Sequence, residues 1–151
     1  MVNEAISDIE RRIRDNVPDP YTKEWFKMLS KGFERDFNLI VPAVIKELGF
    51  IPGSVIDIGC GNGTMLRYMY KNGVKGKIVG VDLYGPSDWL EEVENGTHVK
   101  KDLTQPIDLG FRADLVSCLE VAEHLPDSAS DQLVKTLVDH GDIILFSAAT
   151  P

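Results

Sequence analysis

The segment Val55 to Gly63 reads VIDIGCGNG, with Gly59, Gly61 and Gly63 set between an apolar run and a helix that begins near Thr64. A strand, a tight turn and a helix N-terminus in that order bring backbone amides close to a ligand and aim them at its negative end. The dinucleotide fingerprint GxGxxG requires a glycine at its sixth position, where this chain has Thr64, so the spacing is GxGxG instead. Two carboxylates accompany the loop. Asp57 lies two residues before Gly59, where it can orient the ammonium end of an amino-acid-like ligand, a group that a nicotinamide cofactor lacks. Asp82 closes the next apolar run, IVGVDL, 25 residues after Asp57. At that separation a carboxylate can accept both hydroxyls of a ribose across the sheet edge. Leu83 then lies under the base attached to that ribose.

A second group follows at Glu120-Val121-Ala122-Glu123-His124, one His and two carboxylates within nearly one helical turn. At the mouth of the same cleft, Glu123 or His124 could serve as a general base for a hydroxyl or amine nucleophile. The same pair, just before Leu125-Pro126, could equally cap and orient its loop.

The elements that must position these groups alternate in period. Before Gly49 the pattern is helical. Val2, Ile6, Ile9 and Ile13 form a stripe that ends before Pro18-Asp19-Pro20, a packing or lid segment. From a Thr22 N-cap, a helix carries Trp25, Phe26 and Leu29 to a break at Gly32; a second helix runs from about Phe33 to Leu48, bent or started in part by Pro42. Tyr21, Trp25 and Phe26 read either as a cover over the cleft or as the apolar face of a packed helix. Beyond Gly49, short β-branched runs alternate with helical ones, the pattern of a parallel sheet covered on both faces. Strands are predicted at 55–58, 78–81, 98–100, 114–119 and 142–147, with helices at about 63–72, 87–93 and 130–140. Residues 1–49 are read as an N-terminal helical cap or lid and residues 50–151 as the core, within one compact domain.

Composition bounds the partners. The formal net charge is −8 and the sequence pI about 4.8, which disfavours a surface built to neutralise many phosphates. The densest basic run, KNGVKGK from Lys71 to Lys77, reads as a solvated helix-to-strand turn. No apolar stretch reaches the length of about 20 residues that a membrane span needs, and no signal core stands at the N-terminus, so the expectation is a cytoplasmic chain. Cys60 in the glycine loop and Cys118 in a strand read as reduced structural thiols.

The motifs DIGCGNG, VGVDL, KKDLTQP and DLVSCLEVAEHLP resemble the successive motifs of class I S-adenosylmethionine-dependent methyltransferases over about residues 50 to 147. That resemblance implies a Rossmann-like three-layer α/β sandwich with a mostly parallel sheet of about five strands in the order 3-2-1-4-5. It implies S-adenosyl-L-methionine as cofactor. Asp57, Gly59 and Gly61 then hold the methionine end, with Cys60 also in the cofactor site, and Asp82 holds the ribose, with Leu83 under the adenine. Asp102 would accept from the adenine amino group, the amide of Leu103 would serve the adjacent ring nitrogen, and Glu120 would line the cleft. Similar ExxEH segments hold a divalent cation in quinone-pathway O-methyltransferases and small-RNA 2′-O-methyltransferases; Glu120, Glu123 and His124 would supply three ligands, a workable facial set for oxygen-preferring ions, but the further His of the small-RNA enzymes has no obvious counterpart here, and the expectation is no metal. The implied acceptor is a small molecule or protein; the alternative is a cofactor-binding domain without turnover of its own. Family members continue after the fifth strand with a helix and an antiparallel hairpin that this sequence does not contain. That makes the fifth strand a candidate exposed edge for homo-oligomer formation.

Overall fold

The computed structural model describes residues 21–149. The stripe Val2, Ile6, Ile9 and Ile13 lies outside the described residues. The first described helix, α1, is Lys23–Leu48. Thr22 caps it by accepting from the Trp25 amide at 3.2 Å, and Gly49 ends it in the left-handed region at φ 75°, donating its amide to Ile45 and Lys46 carbonyls. This corrects the reading of two helices broken at Gly32. A glycine inside a helix costs only about 1 kcal/mol relative to Ala, and packing along the rest of α1 outweighs it. Pro42 likewise forfeits one hydrogen bond without ending the helix.

The sheet comprises β1 (Val55–Ile58), β2 (Ile78–Val81), β3 (Gly96–Val99), β4 (Leu115–Leu119) and β5 (Ile144–Ser147), with α2 (Thr64–Lys71) after β1 and α3 (Ser130–His140) before β5. Its order is β3-β2-β1-β4-β5 and every pairing is parallel. The fold is thus the expected Rossmann-like sandwich. The short helix after β2 is a 3₁₀ turn, Asp88–Glu91, and β3 starts two residues earlier than the sequence suggested. Just before β3, Asn95 adopts the left-handed conformation at φ 64°, and Gly96 already pairs with Ile78.

Strand alternation divides the core. Val55, Ile78 and Leu115 face α1 and α2, packing with Val41, Leu66, Met69 and Trp89. Ile56, Val79 and Val116 face the other way, against Leu133 and Leu137 of α3. Trp89 is fully buried, and its ring fills the space that side chains at Gly63, Gly80 and Gly96 would otherwise occupy. Burial on both faces explains the near-continuous apolar runs of β1 and β2, whereas β5, at the edge, leaves Ile144 and Phe146 exposed.

Candidate cofactor and substrate cleft

A cavity of about 620 Å³ opens above the C-terminal ends of β1, β2 and β4. Its size falls within the roughly 300–1,000 Å³ common to small-molecule sites, and its place outside the strand ends is where open α/β sheets bind ligands. The glycine loop forms its floor, the turns after β2 and β3 one side, the Leu119 to Pro126 segment another, and the inner face of α1 its cover.

All three loop glycines have positive φ, yet they meet different neighbours. A Cβ on Gly59 would lie 2.3 Å from Val121 Cγ2, and one on Gly63 would lie 2.2 Å from Trp89 Cγ. These two glycines serve internal packing. A Cβ on Gly61 would meet only the Phe26 ring, at 3.5 Å, so Gly61 presents bare backbone to the cavity, which Gly59 also lines.

Asp57 is buried at the cavity wall and accepts from Ser117 Oγ at 2.6 Å. Burial raises its carboxyl to about 7; the Ser117 hydrogen bond opposes this and the nearby Asp82 charge adds to it. The carboxylate of Asp82 is already engaged. Oδ2 accepts the Gly61 amide at 3.0 Å, and Oδ1 accepts the amides of Tyr84 at 2.8 Å and Gly85 at 2.6 Å. By lone-pair count Oδ1 is full and Oδ2 keeps one acceptor position. Asp82 therefore shapes the glycine loop as well as facing the cavity. Asp102 Oδ1 accepts from the Thr104 amide at 2.9 Å and hydroxyl at 2.8 Å, bonds that hold its carboxyl below the usual range. Leu83 and the nearly buried Leu103 also line the cleft.

Glu120 adopts φ 55°, a conformation that costs a non-glycine residue on the order of 1 kcal/mol and commonly marks a functional turn. It is held at the end of β5: its amide donates to the Ser147 carbonyl at 3.0 Å and its carboxylate accepts from Ser147 Oγ at 2.8 Å. Glu123 accepts the Ala149 amide at 3.3 Å. Desolvation pushes the Glu123 carboxyl up, but hydrogen bonds and the adjacent His124 outweigh it and hold it below its ordinary range. Both carboxylates are thus engaged at the β5 end, and Glu120 and His124 line the cavity. Among the described residues, no three His, Cys, Asp or Glu side chains form a group able to hold a metal ion.

Cys60 lines the cavity and Cys118 sits in β4; both are buried free thiols. Burial pushes Cys118 up to about 12 and Cys60 well above its ordinary value, so neither supplies a nucleophile. The lysines of the Lys71 to Lys77 run are exposed, and each has a partner within the chain. Lys71 pairs with Glu92, Lys75 lies over the Tyr70 ring, and Lys77 lies over the Phe111 ring.

Sequence reasoning missed Asn62 and Thr104. Asn62 Oδ1 accepts from the Thr64 amide and hydroxyl, and its Nδ2 donates to Ser30 Oγ and to the Phe26 carbonyl. An Asn just before a helix start is a capping signal that could have drawn notice. Nothing local predicts its bond across 32 residues to Ser30. Of the two readings of Tyr21, Trp25 and Phe26, both describe what these residues do: they belong to or flank a packed helix, and they line the cavity.

The family model for a methyltransferase domain matches residues 32–147, a span that includes the loop, Asp82, Asp102 and the Glu120 segment. The chain belongs to this methyltransferase family. It is 32% identical over 122 residues to the ubiquinone biosynthesis O-methyltransferase of Colwellia psychrerythraea, an alignment covering 72% of this chain and 47% of that protein. It is 34% identical over 120 residues to the protein of the same name from Burkholderia thailandensis, covering 74% and 51%. The chain spans about half the length of the curated relatives it matches. Among solved structures, the fold resembles magnesium protoporphyrin IX methyltransferase from Synechocystis PCC 6803 with bound SAM, at TM-score 0.56 and 25% identity, covering 74% of this chain and 55% of that one. It also resembles an O-methyltransferase family protein from Burkholderia thailandensis, at TM-score 0.59 and 18% identity, covering 79% and 39%. The class I resemblance read from the motifs therefore holds for both family and fold.

Proposed function

We propose that this methyltransferase-family chain binds S-adenosylmethionine in the cleft and passes its methyl group to the hydroxyl of a small, uncharged, apolar acceptor. The observation that carries the reading is the row of acids around Gly61: Asp57, Asp82 and Asp102 all line one cavity whose floor is bare glycine backbone. A carboxyl held near neutrality by burial, as Asp57 is, suits a cationic ammonium partner, which would favour its ionised form. Asp82 offers its remaining lone pair to a ribose hydroxyl, and Asp102 with the Leu103 amide serves the base. When bound, the sulfonium supplies an already activated methyl group, so positioning rather than strong acid or base chemistry is what the protein must add.

The acceptor class rests on the cavity wall. Among the described residues no Lys or Arg lines the cleft, while Trp25, Phe26, Leu29 and Phe33 form an apolar face opposite the acids. Such a lining disfavours phosphorylated or carboxylated acceptors and nucleic acid. Among the described residues no helix is long and apolar enough to cross a membrane. A hydroxyl acceptor also agrees with the O-methyltransferase names of the relatives. His124, which lines the cleft without the amide contact that engages Glu123, is the residue we assign to receive the acceptor's proton.

Calorimetry with S-adenosylhomocysteine and with NAD tests the cofactor, and methyl transfer to a panel of apolar phenols and alcohols tests the acceptor. Binding of NAD alone overturns the reading. Binding of S-adenosylhomocysteine without any turnover supports a binding domain instead of an enzyme.

A further inference from the structure

The Asn62 side chain reaches from the glycine loop to α1, the element that covers the cleft. Its amide is divided between two tasks. Oδ1 accepts from the Thr64 hydroxyl at 2.7 Å and the Thr64 amide at 3.3 Å, fixing the first residue of α2. Nδ2 donates to the Phe26 carbonyl at 3.4 Å and to Ser30 Oγ, both on α1. A carbonyl can only accept, so the face turned to α1 must be the NH₂, and the orientation of the amide is set. Ser30 Oγ in turn donates to the Phe26 carbonyl at 2.8 Å, closing a three-membered network.

The helix it holds is the wall of the cavity. Trp25, Phe26, Leu29 and Phe33 all come from this half of α1, and the Phe26 ring lies directly over Gly61. In α1 only Phe26 and Val41 are buried, and Val41 belongs to the other half, packed into the core against α2. The far half is therefore anchored by apolar burial, whereas the half over the cleft is held by Phe26, the Asn62 network, a 3.7 Å ion pair between Arg67 and the half-exposed Glu34, and ring contacts of Trp25 with Phe26 and with Tyr21, which in turn packs on Tyr84. An element with few buried contacts has a low opening free energy, and one or two hydrogen bonds decide its position.

We propose that Asn62 is a positioning residue that couples the glycine loop to the aromatic wall of α1, so that a ligand ordering the loop also orders the wall. The inference rests on the proposed function above. A ligand on the backbone of Gly61 fixes the loop, and through Asn62 it fixes Phe26 and Ser30. The wall then closes over the acceptor only when the methyl donor is in place. By reciprocity an acceptor under the wall tightens donor binding by the same factor.

Amide hydrogen exchange of the Lys23 to Phe33 segment, with and without S-adenosylhomocysteine, reads this directly in the whole chain. Saturating ligand should slow exchange there by about tenfold in the wild type, the scale of one or two net hydrogen bonds. Ser30→Ala removes the central hydroxyl and raises intrinsic helix propensity. A merely structural Ser30 would thus leave exchange unchanged or slower. Coupling predicts the reverse, with ligand-induced protection falling below about twofold while the ligand still binds. Asn62→Ala should lose protection in the same way. Protection that survives in both variants overturns the coupling, as does a wild type that binds S-adenosylhomocysteine with no change in this segment. A wild type that fails to bind it overturns the functional reading and the coupling together.

Discussion

Ser117 Oγ donates to Asp57 Oδ1 at 2.6 Å between two residues that face each other in register on the parallel strands β4 and β1. This bond is the partner the sheet provides for a carboxyl that burial has raised to about 7. Between its ordinary value of 3.8 and about 7, the folded protein holds the proton more tightly than the unfolded chain does. Stability is therefore greatest below the lower value, falls as pH rises through that window, and is lower by on the order of 4 kcal/mol above it. Asp57→Asn keeps the shape and removes the titration. Urea unfolding at about pH 5 and about pH 8 should show the wild type losing stability relative to the variant as pH rises. S-adenosylhomocysteine affinity should rise over the same window in the wild type only. A stability difference independent of pH would refute the assignment.

Asp82 joins Gly61 to the Tyr84–Gly85 turn through three backbone amides. Asp82→Ala leaves those donors without their partner, so both stability and binding should fall. We expect a loss of about 2 kcal/mol in stability and more than tenfold in S-adenosylhomocysteine affinity. Thermal unfolding and calorimetry on the same sample check the two effects. Unchanged affinity in a folded variant would remove Asp82 from the site.

Gly61 and Gly63 should separate binding from folding. Gly63→Val drives a side chain into the buried Trp89 ring and is expected to abolish the folded state. At Gly61 a Cβ meets only the Phe26 ring and the positive φ costs about 1 to 2 kcal/mol, so Gly61→Val should fold. Its side chain nevertheless occupies the cavity floor, and S-adenosylhomocysteine binding should be lost. Circular dichroism with calorimetry distinguishes the pair; normal binding by the Gly61 variant would reduce the loop to a turn.

At the sheet edge, β5 pairs with β4 alone among the described strands, and Phe146 is 50% exposed beside Ile144. An unpaired, partly apolar edge is a template for strand addition. This 151-residue chain should self-associate with rising concentration in sedimentation, and Phe146→Lys should shift it toward monomer. A wild type that stays monomeric across the concentration series would exclude β5 as an association surface.

The sequence by itself determined the alternation of strands and helices and the glycine loop between β1 and α2, and it drew notice to Asp57 and Asp82, whereas Asp102 came from the motif resemblance. These are local signals: period, turn chemistry and a carboxylate at a strand end are written in consecutive residues. It read a break at Gly32 where α1 is continuous, because a lone glycine is a weak penalty that distant packing overrides. It also could not distinguish the three loop glycines. Gly59 and Gly63 pack against Val121 and Trp89, which lie 62 and 26 residues further along, while Gly61 has no such neighbour and opens to the cavity that Gly59 also lines. The tertiary structure alone decided that Asp57 is buried against Ser117, that Glu120 and Glu123 are engaged at the end of β5, and that Asn62 ties the loop to α1. Each depends on groups far apart in the chain meeting in a low-dielectric interior or at a strand end, and that meeting is set by sheet order and register rather than by any neighbouring residue.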